Sequence, residues 1–209
     1  MLRRRDRGGA DSDRVPDAGS LAPIDPAFAE PGDAEEFLPY ARDERLARPW
    51  AIPGTPELAH RIGGLEKQEG TGDISYDGDN HARMTAVRAA KVAGIAGDLG
   101  PLAVDEDPGA TLLVLGWGSS RGAIRAAARR VRLNGHAVAV AHLHHLHPLP
   151  SGLGELLRRF DRVLVPEMNS GQLAQILRAE YLVGVESYTK LEGQPLFAAE
   201  LEREIEERL

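Results

Sequence analysis

The stretch Thr111-Leu112-Leu113-Val114-Leu115-Gly116-Trp117-Gly118-Ser119-Ser120 decides the fold. Its first five residues form an apolar run of the length of a buried strand, and the glycines and serines after it predict a turn into a helix over about residues 120–133. The residues that we expect on the inward face of this helix are Ile124, Ala127, Ala128 and Val131. A strand that leads through a short turn into a helix is the first half of a β-α-β unit.

The same alternation of strand and helix continues to residue 209. We predict further strands over residues 136–143, 162–166 and 182–185. The remaining helices are predicted over residues 152–160, over 171–180 with Leu173, Ile176 and Leu177 inward, and around Phe197, Leu201, Ile205 and Leu209. Strands separated by helices pair in parallel, and strands that are apolar on both faces are covered by helices on both sides. We therefore expect residues 100–209 to form an α/β domain with three layers and a mainly parallel sheet.

Two segments precede this domain. Residues 1–36 are rich in proline and acidic side chains, which predicts a disordered or extended arm because such a segment buries little apolar area. Residues 37–99 are expected to be a connecting segment that contains a long loop over residues 57–82 and a helix from about residue 81. The predicted apolar face of that helix carries Met84, Val87, Ala90, Lys91 and Ile95, and Gly97 with Gly100 ends it. The aromatic residues near Trp50 either pack on their own domain or wrap a partner.

Composition excludes several classes of protein. The chain has 209 residues with 25 Lys and Arg against 32 Asp and Glu, and this net charge of −7 argues against nucleic-acid binding. It contains no cysteine, which excludes disulfides, a Cys-ligated zinc site, a thiol nucleophile and an iron–sulfur cluster held by its own cysteines. No apolar stretch approaches the roughly 20 residues of a membrane span, and no apolar core follows the basic start, as a secretory signal would require. We expect a soluble, cytoplasmic protein without a membrane partner.

The loops at the carboxyl ends of the predicted strands are the expected contact sites. They cover residues 116–120, 144–150, 167–171 and 187–193. In the first loop, Ser119 or Ser120 caps the following helix or binds an anion beside Gly116 and Gly118. A nicotinamide cofactor is not expected, because the second strand ends without an acidic residue.

Two further groups of polar residues follow predicted strands. His142, His144, His145 and His147 are close in sequence, and a packing or interface role is favoured over a metal site because no carboxylate lies nearby. Glu167 follows the third predicted strand, where α/β enzymes place working carboxylates. We expect Asn169 or Ser170 to cap the next helix. Capping does not account for Glu167, so we interpret that residue as functional.

Seven segments of the chain together carry a resemblance to a known family. They are Arg48-Pro49-Trp50-Ala51-Ile52-Pro53-Gly54; Gly63-Gly64-Leu65-Glu66-Lys67 with Gly70-Thr71-Gly72; Asn80-His81 with Met84, Arg88 and Lys91; Val114-Leu115-Gly116-Trp117-Gly118-Ser119; His142-Leu143 with Leu146, Pro148 and Pro150; Val165-Pro166-Glu167-Met168-Asn169 with Gly171-Gln172-Leu173; and Lys190 with Gly193-Gln194-Pro195. In this order, across about residues 37–209, they resemble the C-terminal portion of the α subunit of bacterial 2-oxoacid:ferredoxin oxidoreductases of the 2-oxoglutarate type.

The resemblance implies a thiamine-diphosphate enzyme that decarboxylates 2-oxoglutarate, passes electrons through a [4Fe-4S] cluster to ferredoxin and transfers the acyl group to coenzyme A. Residues 100–209 would then be the domain that resembles the transketolase C-terminal domain, with a structural and subunit-bridging role. The partner would be the β subunit, with ferredoxin and coenzyme A reached through the complex. Thiamine diphosphate, Mg²⁺ and the cluster would belong to the complex, and the chain alone is expected to bind no cofactor or metal.

The chain lacks the family's pyrimidine-binding domain, its substrate loop and the cluster cysteines of the β subunit. We therefore expect a truncated reading frame, a split subunit or a fragment that has no catalytic residue and is inactive alone. The residues expected to bind a ligand or a subunit are Trp50, Glu66, His81, Gly116, Gly118, Ser119, Ser120, Glu167 and Asn169. Two alternatives remain open: an independent α/β module that binds a phosphorylated small ligand at residues 116–120, and a structural remnant without a partner.

Overall fold

The structure, a computed structural model, describes Gly19 and residues 28–30 and 37–209. The chain divides into two compact units between Asp98 and Leu99. We call the described residues up to Asp98 the N-terminal unit and residues 99–209 the C-terminal unit. This boundary lies one residue before the domain boundary that the sequence predicted between residues 99 and 100. The arm predicted over residues 1–36 falls mostly outside the described residues. In the described part of the chain, no helix is long and apolar enough to cross a membrane.

The N-terminal unit contains one helix, α1 (Gly78–Gly94), which continues into a short 3₁₀ turn over Ile95–Gly97. The helix begins after Asp77, whose carboxylate accepts a hydrogen bond from the backbone N–H of Asn80 at 2.7 Å. The predicted start near residue 81 was therefore three residues late. This helix is the main regular element on which the unit is built.

The apolar face predicted for α1 is only partly correct. Met84 is buried and Val87 is half-buried, but Ala90, Lys91 and Ile95 are exposed. Burial of the predicted face is therefore limited to Met84 and, in part, to Val87.

The loop predicted over residues 57–82 contains local structure that its composition did not indicate. Lys67 and Ile74 form an antiparallel bridge, and the N–H of Gln68 donates to the carbonyl of Asp73 at 2.7 Å. Gly72, with φ of 74°, supplies the left-handed backbone that the turn of this small hairpin requires. The buried amide of Asn80 donates to the carbonyl of Lys67 at 2.9 Å and thereby attaches the hairpin to α1.

The C-terminal unit is built on a five-stranded sheet. Its strands are β1 (Val104–Glu106), β2 (Leu112–Trp117), β3 (Ala139–Leu143), β4 (Arg162–Glu167) and β5 (Glu186–Thr189). Its helices are α2 (Arg121–Leu133), α3 (Leu153–Arg158), α4 (Gln172–Tyr181) and α5 (Ala198–Glu206). The spatial order of the strands is β1-β3-β2-β4-β5, in which β2 to β5 pair in parallel and β1 pairs antiparallel to β3.

Both faces of the sheet are covered, as the alternation along β2 shows. Leu112 and Val114 belong to the cluster formed with α2 and α5. Leu113 and Leu115 point to the opposite face and join the cluster formed with α3 and α4. All four side chains are fully buried. The predicted three-layer, mainly parallel α/β fold is therefore confirmed.

Several element assignments in this unit need correction. Strand β1 was not predicted because it is a three-residue edge strand in which Asp105 and Glu106 interrupt the apolar pattern. The fourth predicted strand, over residues 182–185, was wrong. Helix α4 extends to Tyr181, Leu182 follows with φ of 53°, and the strand forms four residues later as β5. The side chain of Ile176, which was predicted to face inward, is exposed.

An acidic residue after β1 connects three parts of this unit. The carboxylate of Asp107 accepts hydrogen bonds from the backbone N–H of Val138 at 3.1 Å and from the Arg132 guanidinium at 2.6 Å. The N–H of Val138, followed by Arg132, holds the pKa of the Asp107 carboxyl below its usual value. The folded state therefore gains stability from the ionised form.

We predict that Asp107→Asn lowers the free energy of unfolding at pH 7. Because the pKa of Asp107 is depressed in the folded state, its contribution is complete above the ordinary aspartate pKa of about 3.9 and is lost as the pH falls through the lower folded value. The difference in the free energy of unfolding between wild type and variant, which we call the gap, should thus shrink as the pH falls below about 4. Urea unfolding between pH 7 and pH 3 measures this gap. The control Asp161→Asn removes the same charge from an exposed position, and an equal gap in the control would contradict the assignment.

Candidate subunit and ligand contact sites

The candidate residues of the C-terminal unit gather at one edge of its sheet. Strands β2 to β5 are parallel, so their following loops share that edge. Strand β2 lies between β3 and β4, and the order of the strands reverses between β2 and β4. Such a reversal opens a crevice, which is where open α/β sheets bind ligands. The residues that flank it are Gly116, Gly118, Ser119 and Ser120 from β2 and its loop, and Glu167 and Asn169 from β4 and its loop.

The serine side chains of the first loop do not cap α2. Ser120 is buried, and its hydroxyl donates to the carbonyl of Trp117 at 2.7 Å and accepts from the N–H of Trp117 at 3.2 Å. It closes the 3₁₀ turn over Gly118–Ser120, and no side-chain hydrogen bond caps the first turn of α2. The expectation that Ser120 caps this helix is therefore wrong. Ser119 is exposed, and it is the serine of this loop whose side chain is left for an external contact.

The two glycines of this loop are required by local geometry. A Cβ on Gly116 would lie 2.5 Å from Ile124 and 2.9 Å from the ring of His142, so no larger residue fits without a shift. Gly118 has φ of 57°, in the left-handed region. Local geometry thus explains why glycine occupies both positions, and this explanation does not require a ligand.

Of the histidines that are close in sequence, His142 lies within β3 and the other three follow that strand. Nε2 of His142 lies 3.1 Å from the carbonyl of Gly118, and its ring is 5.5 Å from that of His144 in an edge arrangement. Burial, followed by the charge of His144, lowers the pKa of His142. Among the described residues, no group of three or more His, Asp or Glu side chains is placed to hold a metal ion.

Glu167 and Asn169 both bind the start of helix α4. Glu167 is 1% exposed, and its two carboxylate oxygens accept from the backbone N–H groups of Leu173 at 2.9 Å and Ala174 at 3.2 Å. Asn169 accepts from the N–H groups of Gly171 and Gln172 at 2.8 and 2.9 Å. These four N–H groups lie at the end of the helix where donors lack partners within the helix.

Capping therefore does account for Glu167, and the expectation that it does not was wrong. The capping patterns that can be read from a sequence use a residue three positions or fewer before the bonded N–H. Glu167 instead lies six and seven residues before its partners, and the buried end of β4 brings it back to them. Asn169, and not Ser170, supplies the local cap.

We predict that Glu167→Ala lowers the free energy of unfolding by about 2–3 kcal/mol, because two buried N–H groups lose their acceptors. Glu167→Gln retains one acceptor and should cost less. Urea unfolding at pH 7 measures both values. The matched control Glu180→Gln changes the same charge at an exposed position of α4 and should stay within about 0.5 kcal/mol. Glu167→Ala with the stability of the control would show that the carboxylate is not a structural cap.

In the N-terminal unit, Glu66 and His81 lie together. One carboxylate oxygen of Glu66 is 2.6 Å from Nδ1 of His81, and the other accepts from Arg88 at 3.2 Å. The hydrogen bonds from Arg88 and then from His81 lower the pKa of Glu66. The side chain of His81 is two-thirds exposed, so this contact lies at the surface.

Trp50 belongs to a different part of this unit. Its backbone carbonyl accepts from the N–H of Ala29 at 2.9 Å, whereas its indole is 63% exposed. Within the described residues, no hydrogen bond, ion pair or ring contact joins Trp50 to Glu66 or His81. A large exposed aromatic side chain is the type of residue that anchors protein interfaces.

The structure adds a site that the sequence reasoning missed. The N-terminal unit contains a pocket of about 260 Å³, which we call the basic pocket. Its lining residues are Tyr40, Arg42, Leu46, Arg48, Leu65, Glu66, Lys67, Met84, Val87, Arg88 and Lys91. The available signal was that most of its cationic residues lie within the segments that carry the family resemblance, although up to 49 positions separate them.

The fold defines the class of protein, an α/β chain with a mainly parallel sheet, and the chain is similar to a 2-oxoglutarate oxidoreductase subunit. Over 197 residues the chain is 53% identical to the 2-oxoglutarate oxidoreductase subunit KorA of Mycobacterium tuberculosis (strain ATCC 25618 / H37Rv), a match that covers 93% of this chain and 30% of KorA. No family model matches the chain.

A comparison with solved structures agrees with this sequence match. The 2-oxoglutarate:ferredoxin oxidoreductase from Magnetococcus marinus, determined with 2-oxoglutarate, coenzyme A and succinyl-CoA bound, matches with a TM-score of 0.83 and 27% identity over 92% of this chain and 34% of that chain. The resemblance inferred from the seven segments is therefore confirmed. This chain is similar to part of each of these two proteins, and it spans about a third of the length of each relative.

Proposed function

We propose that this chain is a non-catalytic, subunit-bridging part of a 2-oxoglutarate:ferredoxin oxidoreductase and corresponds to the C-terminal portion of the α subunit. The observation that carries the proposal is the 53% identity to KorA over 93% of this chain. In the complex, thiamine diphosphate with Mg²⁺ supplies the decarboxylation chemistry, a [4Fe-4S] cluster passes electrons to ferredoxin, and coenzyme A accepts the acyl group. This chain contributes support and contact surface in the cytoplasm.

The polar residues at the sheet edge support a structural role. Ser120, Glu167 and Asn169 all use their side-chain oxygens on backbone groups of their own chain. A general acid or base must reach the proton that it transfers, and the buried Glu167 carboxylate is aimed into α4 instead. The same contacts make an independent phosphate-binding module at residues 116–120 the weaker candidate.

The exposed apolar side chains of the N-terminal unit support a docking role. Trp50, Ile52, Ile62 and Tyr76 are all exposed by more than half of their surface. Apolar surface of this kind marks contacts between proteins, and aromatic anchors dominate their energy. We infer that the β subunit covers these residues. This unit then supplies the contact, and the sheet of the C-terminal unit supplies the rigid support.

Co-expression with the β subunit tests this proposal. We predict that the two chains purify together and that Trp50→Ala weakens the complex by about tenfold or more, as expected for an aromatic anchor. The control Leu133→Ala removes an apolar side chain that is 81% exposed on α2 and should bind like wild type. Binding constants from biolayer interferometry give the comparison. A β subunit that does not bind the wild-type chain would contradict the proposal.

A further inference from the structure

We propose that the basic pocket binds the phosphate group of a small-molecule ligand. Its walls carry five cationic side chains and one carboxylate, in a chain whose net charge is −7. The cationic residues are Arg42, Arg48, Lys67, Arg88 and Lys91. Like charges at such a density repel one another, and an anion in the pocket relieves that repulsion.

The single carboxylate leaves most of this charge uncompensated. Both oxygens of Glu66 are engaged, one by Arg88 and the other by His81. Among the residues that the structure describes, Arg42, Arg48 and Lys91 have no carboxylate partner. An anionic ligand would supply the missing partner for these three groups.

A buried ammonium group makes the need for an anion stronger. Lys67 is 4% exposed, and its Nζ donates to the carbonyls of Gly63 at 2.6 Å and Leu65 at 2.7 Å. These neutral acceptors satisfy two of its three N–H groups but do not neutralise its charge. A charge removed from water is costly unless it is paired. Lys67 therefore holds fixed, poorly hydrated positive charge at the wall of the pocket.

Two of the arginines are already held in place. Arg42 donates to the carbonyl of Tyr40 at 3.2 Å, and Arg48 donates to the carbonyl of Pro39 at 3.2 Å while lying 4.7 Å over the ring of Tyr40. Each guanidinium carries five N–H donors, so several remain for a ligand. Groups that are fixed before binding lose less conformational entropy when the ligand arrives.

Charge and size together define the ligand class. Guanidinium groups match the geometry of phosphate oxygens, and a phosphate group carries more charge than a single carboxylate. The pocket volume of about 260 Å³ is slightly below the range of roughly 300–1,000 Å³ that holds whole drug-sized ligands. We therefore expect the pocket to take the phosphate end of a larger molecule. This inference depends on residues of the N-terminal unit and not on the proposed function.

Titration of the purified full chain with sodium pyrophosphate in a calorimeter tests the proposal. At about 50 mM ionic strength we expect saturable binding to one site that weakens when salt is added. Lys91→Gln and Arg42→Gln should each raise the dissociation constant about tenfold, the effect of losing one hydrogen bond between charged groups. The matched control Arg61→Gln removes the same charge from an exposed position outside the pocket and should bind like wild type.

Three results would overturn the proposal. One is the absence of saturable pyrophosphate binding to the wild-type chain at millimolar concentration. Another is an equal loss of affinity in Arg61→Gln and Lys91→Gln, since general electrostatic attraction would then explain the binding. The third is equally tight binding of succinate, which would make the pocket a carboxylate site. Lys91 is exposed on α1, and thermal unfolding of each variant verifies that the chain remains folded.

Discussion

The hydrogen bonding of β2 to both β3 and β4 is the constraint on which the C-terminal unit depends. Its residues Leu112–Leu115 are fully buried because helices cover both sides of the sheet. This central strand places the loops after β2 and β4 side by side. The same burial fixes the end of β4, so that Glu167 reaches the first turn of α4. Sheet topology thus determines which polar groups meet at this edge.

The proposed scaffolding role follows from where the polar and apolar groups are used. In the C-terminal unit, oxygens at the sheet edge complete turns and helix starts, which stiffens the loops. In the N-terminal unit, by contrast, apolar side chains such as Trp50 are exposed and the basic pocket holds uncompensated charge. In the C-terminal unit, Ser120, Glu167 and Asn169 thus bond to their own chain, whereas the N-terminal unit presents surface that a partner or ligand can complete.

The sequence predicted the parallel core well because apolar runs and glycine turns are local signals. It failed where distant residues decide the structure. The strand predicted over residues 182–185 was misplaced because Val183-Gly184-Val185 looks more like a strand than Glu186–Thr189. In the structure, pairing with β4 overrides that local preference. The cap from Glu167 and the basic pocket were missed for the same reason: their members are separated along the chain. The family resemblance could be found because it needs only the order of local motifs.

We propose that this chain supplies support and contact surface but no reactive centre. The most direct measurement is the reduction of a viologen dye by the purified chain, assayed with 2-oxoglutarate, coenzyme A, thiamine diphosphate and Mg²⁺. We expect no dye reduction above the rate without protein. Sustained reduction that requires both 2-oxoglutarate and coenzyme A would contradict it.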